Sequence, residues 1–344
     1  MSTPWRPGTA TGVGSMPGVD PVEAASVVVG ELPGLPHLPE LPARGLGADI
    51  IGRSAALLVD LAVEEVPSGY RVTARPGGDH RRAVDSLRRD LDAFEEAVER
   101  SGVRPSVVKV QAAGPWTLTS GIELPRGRRV MTDPGALREF TESLNEGLAA
   151  HVSEVAKRIG ASVVVQLDEP SLPSVLAGAL PTPSGYGNVP AVPEPDARDV
   201  LHGVIEAAGA VTGQPVVVHC CAARPPVGLL ASAGAGALSL DATSLDGLPT
   251  AVADELGEAW DSGVVLFLGL VPSVDPGRPV TLAEVAGPAL RLADRLGFAR
   301  STLANLAVAT PTCGMAGASA SWATRALGLC RDLGKAFVEP PESW

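Results

Sequence analysis

The sequence predicts an α/β protein built as a single (β/α)8 TIM barrel, and three observations carry that expectation. Short apolar runs alternate with longer amphipathic stretches along the whole chain, the pattern of repeated βαβ units around a parallel sheet. Those runs are rich in Val, Leu and Ala without a polar alternation, as strands buried on both faces require. No charge run or Ser-rich linker divides the 344 residues, so one domain over residues 1–344 is expected rather than two. An open doubly wound sheet is the alternative arrangement of the same units.

In chain order, the runs Ala10–Gly14, Val107–Ala112, Ser162–Leu167, Pro215–His219, Ala237–Leu240, Val264–Leu270 and Leu306–Ala309 predict seven strands. An eighth, which would close the ring, is expected between Ala43 and Ile51 or at Tyr70–Thr73. Apolar spacing near 3.6 predicts helices over Arg81–Arg100, Pro134–Ile159, Asp196–Val211, Leu282–Leu296 and Ala320–Leu333. Asp133 before Pro134 is an N-cap followed by a residue suited to the first turn, and Thr281 with Glu284 has capping-box spacing. The 39 glycines and 32 prolines supply the turns that so many short elements need. The Pro-rich stretches Leu32–Pro42 and Leu180–Pro195 are expected to be long loops on the side of a barrel where sites form.

Composition excludes several classes. Hydrophobic residues make up 45% and mean hydropathy is +0.19, which is incompatible with disorder; aromatics at 3% leave the core to Ala, Val and Leu. A net charge of −12 argues against nucleic acid and against anionic membrane surfaces as partners. Uncharged runs such as Pro225–Leu240 are too short and too rich in Gly and Pro for a membrane helix, and the N-terminal residues lack the pattern of a secretory signal. Four cysteines, two of them adjacent, cannot make a disulfide scaffold and point to a reducing cytoplasm.

The chemistry is expected at the strand ends. Val216-Val217-Val218-His219-Cys220-Cys221 puts His219 and Cys221 on one face and Cys220 on the other. The next strand ends in Asp241, and the last in Thr310-Pro311-Thr312-Cys313-Gly314. Any one of these residues alone reads as packing. Three of the four cysteines at two strand ends, with a histidine and a carboxylate, make His219, Cys221, Asp241 and Cys313 candidate Zn2+ ligands, with Cys220 and Cys330 left to the core. Asp168 and Glu169 close another strand, where carboxylates hold an amino group, act as acid and base, or sit on a helix dipole. Gly12-Val13-Gly14-Ser15-Met16-Pro17-Gly18 fits neither phosphate-loop fingerprint, but its amides suit a carboxylate.

Together, Val13-Gly14-Ser15-Met16-Pro17, Asp168-Glu169-Pro170-Ser171, His219-Cys220-Cys221 and Pro311-Thr312-Cys313-Gly314 resemble the motifs of the cobalamin-independent methionine synthase catalytic barrel. That barrel belongs to the superfamily that also contains uroporphyrinogen decarboxylase. The resemblance implies a zinc-dependent S-methyltransferase. Zinc would be held by His219, Cys221, Asp241 (a glutamate in the family) and Cys313. It would bind homocysteine as thiolate. Backbone at Val13, Gly14 and Ser15 would hold the amino acid's carboxylate and Asp168 its ammonium, with a catalytic role for Glu169. The methyl donor implied is a methyl-folate or a methyl-corrinoid. The folate-using members are about twice this length and carry a second barrel. Their pterin-packing tryptophan falls here at Gly121, a motif glutamate at Ser174, and the seventh-strand histidine has no counterpart in Gly269-Leu270-Val271-Pro272. Trp116 and Asp275 are the residues nearest to replacing those roles. A decarboxylase-like lyase and a non-catalytic zinc- or thiol-binding protein are the competing readings.

Overall fold

The computed structural model describes residues 3–182 and 185–340. Its strands are β1 (Ala62–Val66), β2 (Gly69–Thr73), β3 (Val107–Ala113), β4 (Ile122–Glu123), β5 (Ser162–Asp168), β6 (Val217–His219), β7 (Ala237–Asp241), β8 (Val265–Val271) and β9 (Ala307–Pro311). The helices are α1 (Pro21–Glu31), α2 (Ile50–Ala55), α3 (Gly78–Ser101), α4 (Pro115–Gly121), α5 (Pro134–Ile159), α6 (Leu172–Leu176) and α7 (Glu194–Thr212). They continue with α8 (Val227–Ser232), α9 (Thr250–Asp261), α10 (Leu282–Leu296), α11 (Thr302–Leu306) and α12 (Ala320–Val338). Six strands form one curled parallel sheet in the order β3-β5-β6-β7-β8-β9. Six of the seven expected strands and all five expected helices are therefore present. Asp133 caps α5 through Gly135 and Ala136, both at 3.0 Å, and the Thr281–Glu284 capping box opens α10.

The remaining expectations are corrected. Residues 43–51 hold a 3-10 turn and the start of α2. Tyr70–Thr73 is a strand, but β2 pairs antiparallel with β1 and parallel with β4 in a separate three-stranded sheet. The charged residues Glu64, Glu65 and Arg71 leave that hairpin half-exposed, so it cannot line the inside of a ring. Two extended segments instead lie between β9 and β3. Ala10 bridges Ala309, Ser15 bridges Glu40, and His37 bridges Lys109, all parallel. The second segment falls within Leu32–Pro42, which had the composition of a loop. Pro36 and Pro39 have no N–H to donate, so Leu38 and Glu40 make the bonds, to Lys109 O at 2.9 Å and Gly14 O at 3.2 Å.

Inside the sheet, at the end where the strands begin, Val107, Val164, Val217, Val265 and Val308 pack with Trp5, whose ring meets Phe267 edge-on at 5.3 Å. Trp5 thus closes that end and leaves the other to polar residues. The larger apolar cluster lies between the sheet and the helices. Among the described residues, no helix is long and apolar enough to cross a membrane.

Candidate metal centre and acceptor pocket

His219 is the last residue of β6 and pairs in register with Asp168 on β5 and Ser239 on β7. Its Nδ1 lies 3.0 Å from Ser239 Oγ, which fixes the ring and leaves the second nitrogen to a ligand. Cys221 follows two residues on. Cys313 arrives from the turn after β9, and the two sulfurs stand 2.9 Å apart, sharing one hydrogen bond. That bond holds the Cys313 thiol well down, to about 4, with His219 adding to the effect against burial, and pushes Cys221 up. The ligand atoms of His219, Cys221 and Cys313 all lie within 4.8 Å of one another. A histidine fixed from behind, two thiols with one already biased to thiolate, and an open fourth side fit zinc in a catalytic three-ligand set. Cys220 and Cys330 are fully buried, as expected of core residues.

Asp241 is not part of that cluster. Its Oδ1 accepts from Thr243 N at 2.9 Å and Thr243 Oγ1 at 2.6 Å, capping the 3-10 turn after β7. A carboxylate one methylene shorter than glutamate sits close to its own backbone and is captured there.

The three ligands border a cavity of about 320 Å³ shared with Val13, Gly14, Ser15, Glu40 and Asp168. The Cys313 turn lies directly on the Val13–Ser15 loop. Met315 N donates to Ser15 O at 2.9 Å, and a Cβ on Gly314 would displace the Ser15 hydroxyl and stand 3.3 Å from Ser15 Cβ, so glycine allows this close approach without moving Ser15. Asp168 accepts from Gln166 Nε2 at 2.7 Å, and burial pushes its carboxyl up to about 7. The structure thus brings together Val13, Gly14, Ser15, Asp168, His219, Cys221 and Cys313.

Sequence reasoning missed the polar floor of this cavity. Lys109 on β3 is 0% exposed, and its Nζ donates to Val13 O at 2.9 Å, Gln111 Oε1 at 2.8 Å and Gln166 Oε1 at 2.8 Å. Burial pulls it down to about 7, against the pull of Asp168 and Glu40. Glu40 is also buried and pushed up by burial, with Arg53 Nε 3.7 Å from its Oε1. The signal was a Lys and a Gln two apart in an apolar run, Lys109 and Gln111, facing a third polar residue, Gln166, on the adjacent strand.

Glu169 turns away from the cavity. Its Oε1 accepts from Trp116 N at 2.9 Å, and its Oε2 from Thr117 N and Thr117 Oγ1, both at 2.8 Å, so it serves the N-terminus of α4 rather than the reacting groups. The expected catalytic role gives way to the helix-cap alternative. Trp116 is buried and donates to Ala197 O at 2.9 Å, while Asp275 is committed to Ser319 N at 2.7 Å and Ser319 Oγ at 2.6 Å. A Cβ at Gly121 would stand 2.7 Å from Ile51, so that position has no room for a ring.

A B12-independent methionine synthase from Shewanella sp. W3-18-1, solved in complex with selenomethionine, superposes with a TM-score of 0.59. It is 12% identical, over 97% of this chain and 98% of that one. A methyltransferase from Methanosarcina mazei gives 0.53 at 16% identity, over 98% and 94%. At these identities the likeness is one of fold. No curated protein matches the chain. The sequence profile of the cobalamin-independent synthase catalytic domain, however, matches residues 8–336, nearly the whole chain. On that match, the protein belongs to the family of cobalamin-independent synthase catalytic domains.

Proposed function

We propose that the protein is a zinc-dependent S-methyltransferase acting in a reducing cytoplasm, with homocysteine as acceptor. The observation that carries this reading is the sharing of one cavity by a His/Cys/Cys cluster and by a loop and two carboxylates suited to an amino acid. When bound, zinc would stabilise the acceptor as thiolate at neutral pH. His219, Cys221 and Cys313 would hold the metal, and Ser239 keeps the His219 ring in place. Backbone of Val13, Gly14 and Ser15 receives the acceptor's carboxylate, and Asp168 with Glu40 receives its ammonium. The acceptor's sulfur then forms its bond to the methyl carbon as the donor's bond to that carbon breaks, giving the methyl thioether. The segments 10–15 and 36–40 act as the two further staves of an eight-membered barrel, so that loop and metal share one rim.

The donor follows from what the rim lacks. A leaving folate amine needs a proton, and general acid catalysis is typically worth about 10²–10⁴-fold. Val271 occupies the place of the family's histidine, and Asp275 is held by Ser319. A methyl-corrinoid needs no such acid. The test is methyl transfer to homocysteine by zinc-loaded protein, with methylcobalamin and methyl-folate offered in parallel. Turnover is expected with both thiol and zinc present, faster with methylcobalamin. Absence of methionine with either donor would overturn the assignment, and equal or faster turnover with methyl-folate would overturn the choice of donor.

A further inference from the structure

A second cavity opens on the same face of the sheet as the metal centre, between the segments that follow β3 and β5. It has a volume of about 540 Å³ and is bordered by Arg126, Arg128 and Arg129 on one wall and by Val189 and Pro190 on the other. Arg129 ties the walls together: its Nε and Nη2 donate to Pro181 O at 3.1 and 2.8 Å, and its Nη1 to Ser120 O. The cavity is therefore shaped before anything enters it.

Its charge is unbalanced. All three guanidinium groups lack a carboxylate partner within ion-pair distance among the described residues, whereas Arg82, Arg158 and Arg291 elsewhere each have one. Glu123, the acid on the same wall, is held by Arg71 at 3.1 Å. Among the described residues, none that borders the cavity is acidic. In a chain of net charge −12, Arg126 and Arg128 in one hollow beside Arg129, whose own nitrogens hold backbone carbonyls, make a local attractor for anions, and their planar forks match phosphate or carboxylate oxygens.

A neighbouring hollow of about 420 Å³ shares Thr132, Val189 and Pro190 with the first, and continues along Trp116, Met131, Leu137 and Val192, with the exposed Asp196 as its one charged border. The two together form one groove, cationic at one end and largely apolar at the other. We propose that this groove binds a small amphipathic anion, an apolar body ending in a phosphate or carboxylate group. This does not rest on the methyltransferase reading, since binding is measured without turnover.

The experiment is calorimetric titration at low salt with inorganic phosphate, octyl phosphate and octanoate. Octyl phosphate should bind at one site per chain, about tenfold or more tighter than phosphate, because its chain buries methylenes in the apolar end. R126A/R128A should weaken octyl phosphate by about tenfold, the usual cost of losing charge-assisted bonds, while R82A leaves it unchanged. Val192→Asp should remove the advantage of the octyl chain and spare phosphate. The comparison with octanoate tells whether the head group recognised is phosphate or carboxylate. Equal affinity for the double arginine variant, no gain from the octyl chain, or no binding of either octyl ligand would overturn the proposal.

Discussion

Lys109 Nζ donates to the carbonyl oxygen of Val13 at 2.9 Å, joining the middle of β3 to the loop proposed to receive the acceptor's carboxylate. The ammonium also satisfies two amide oxygens and faces two buried carboxylates. Lys109→Met removes that donor from the buried amide oxygens of Gln111 and Gln166, while Val13 O keeps Gln166 Nε2 at 2.8 Å, a cost of about 1–3 kcal/mol. A lower denaturation midpoint and roughly tenfold weaker homocysteine binding are expected, and Lys109→Arg should not rescue them, because a guanidinium has no room there. Unaltered midpoint and affinity would show that the ammonium is idle.

Metal content separates the ligands. Protein purified without chelators should carry about one zinc per chain, and Cys221→Ser or Cys313→Ser should lose it. Cys220→Ser should keep it, since that side chain is fully buried in the core. Asp241→Asn is expected to keep zinc as well, because its Oδ1 is already committed to Thr243. Elemental analysis of the four variants checks all these outcomes. Loss of metal in Asp241→Asn would place a fourth ligand on β7.

Acceptor binding should have two signatures. Homocysteine should add a sulfur neighbour to zinc in X-ray absorption and release roughly one proton to buffer, since the ligating form is the thiolate. Asp168→Asn and Glu40→Gln should each weaken binding without removing zinc. Unchanged Zn–S scattering on adding homocysteine would sink the acceptor assignment and leave the metal site standing.

His151, on the inner side of α5, gives a prediction about acid stability. Burial, with Arg53 nearby, pulls its pKa down from 6.5 to about 4. The unfolded chain therefore binds the extra proton first, below about 6.5. The neutral ring's contribution is complete above that pH and is lost as the pH falls through about 4. A shift of this size corresponds to about 3 kcal/mol at most. In denaturation from pH 7 to 4, wild type should lose more stability than His151→Leu, and parallel curves would refute the linkage. Taking the difference between the two proteins cancels the buried carboxylates, whose raised pKa values act in the opposite sense.

The parts of the fold that were legible in the sequence are those where local pattern and burial agree. Val164 and Val165 or Leu266 to Leu268 are apolar because both faces of their strands are covered, and α5 and α10 begin where their caps are written. The segment 36–40 was hidden because prolines mark a loop by composition, yet here they only thin the hydrogen bonding of an extended stave. The cluster of His219, Cys221 and Cys313 was legible through residue types that have few other reasons to meet. The floor beneath it was not, since Lys109 and Glu40 are expensive to bury singly and make sense only as partners across distant segments. Asp241 and Glu169 stand apart from the cluster and the cavity for the same reason: backbone donors hold both carboxylates, and no motif shows where a backbone donor will stand.

The pairing of the six-stranded sheet and of the two segments beside it is uneven. From β3 to β9 each strand is held by a ladder, seven residue pairs between β3 and β5, whereas the segments 10–15 and 36–40 are sewn in by isolated bridges. The candidate ligands end or follow the ladder-paired strands β6 and β9, and the Val13–Ser15 loop lies on the seam. Breathing of the molecule is therefore expected to concentrate on the side proposed to admit and release an amino acid, while the spacing of the two sulfurs and the imidazole is kept. Amide exchange should be fastest along that seam.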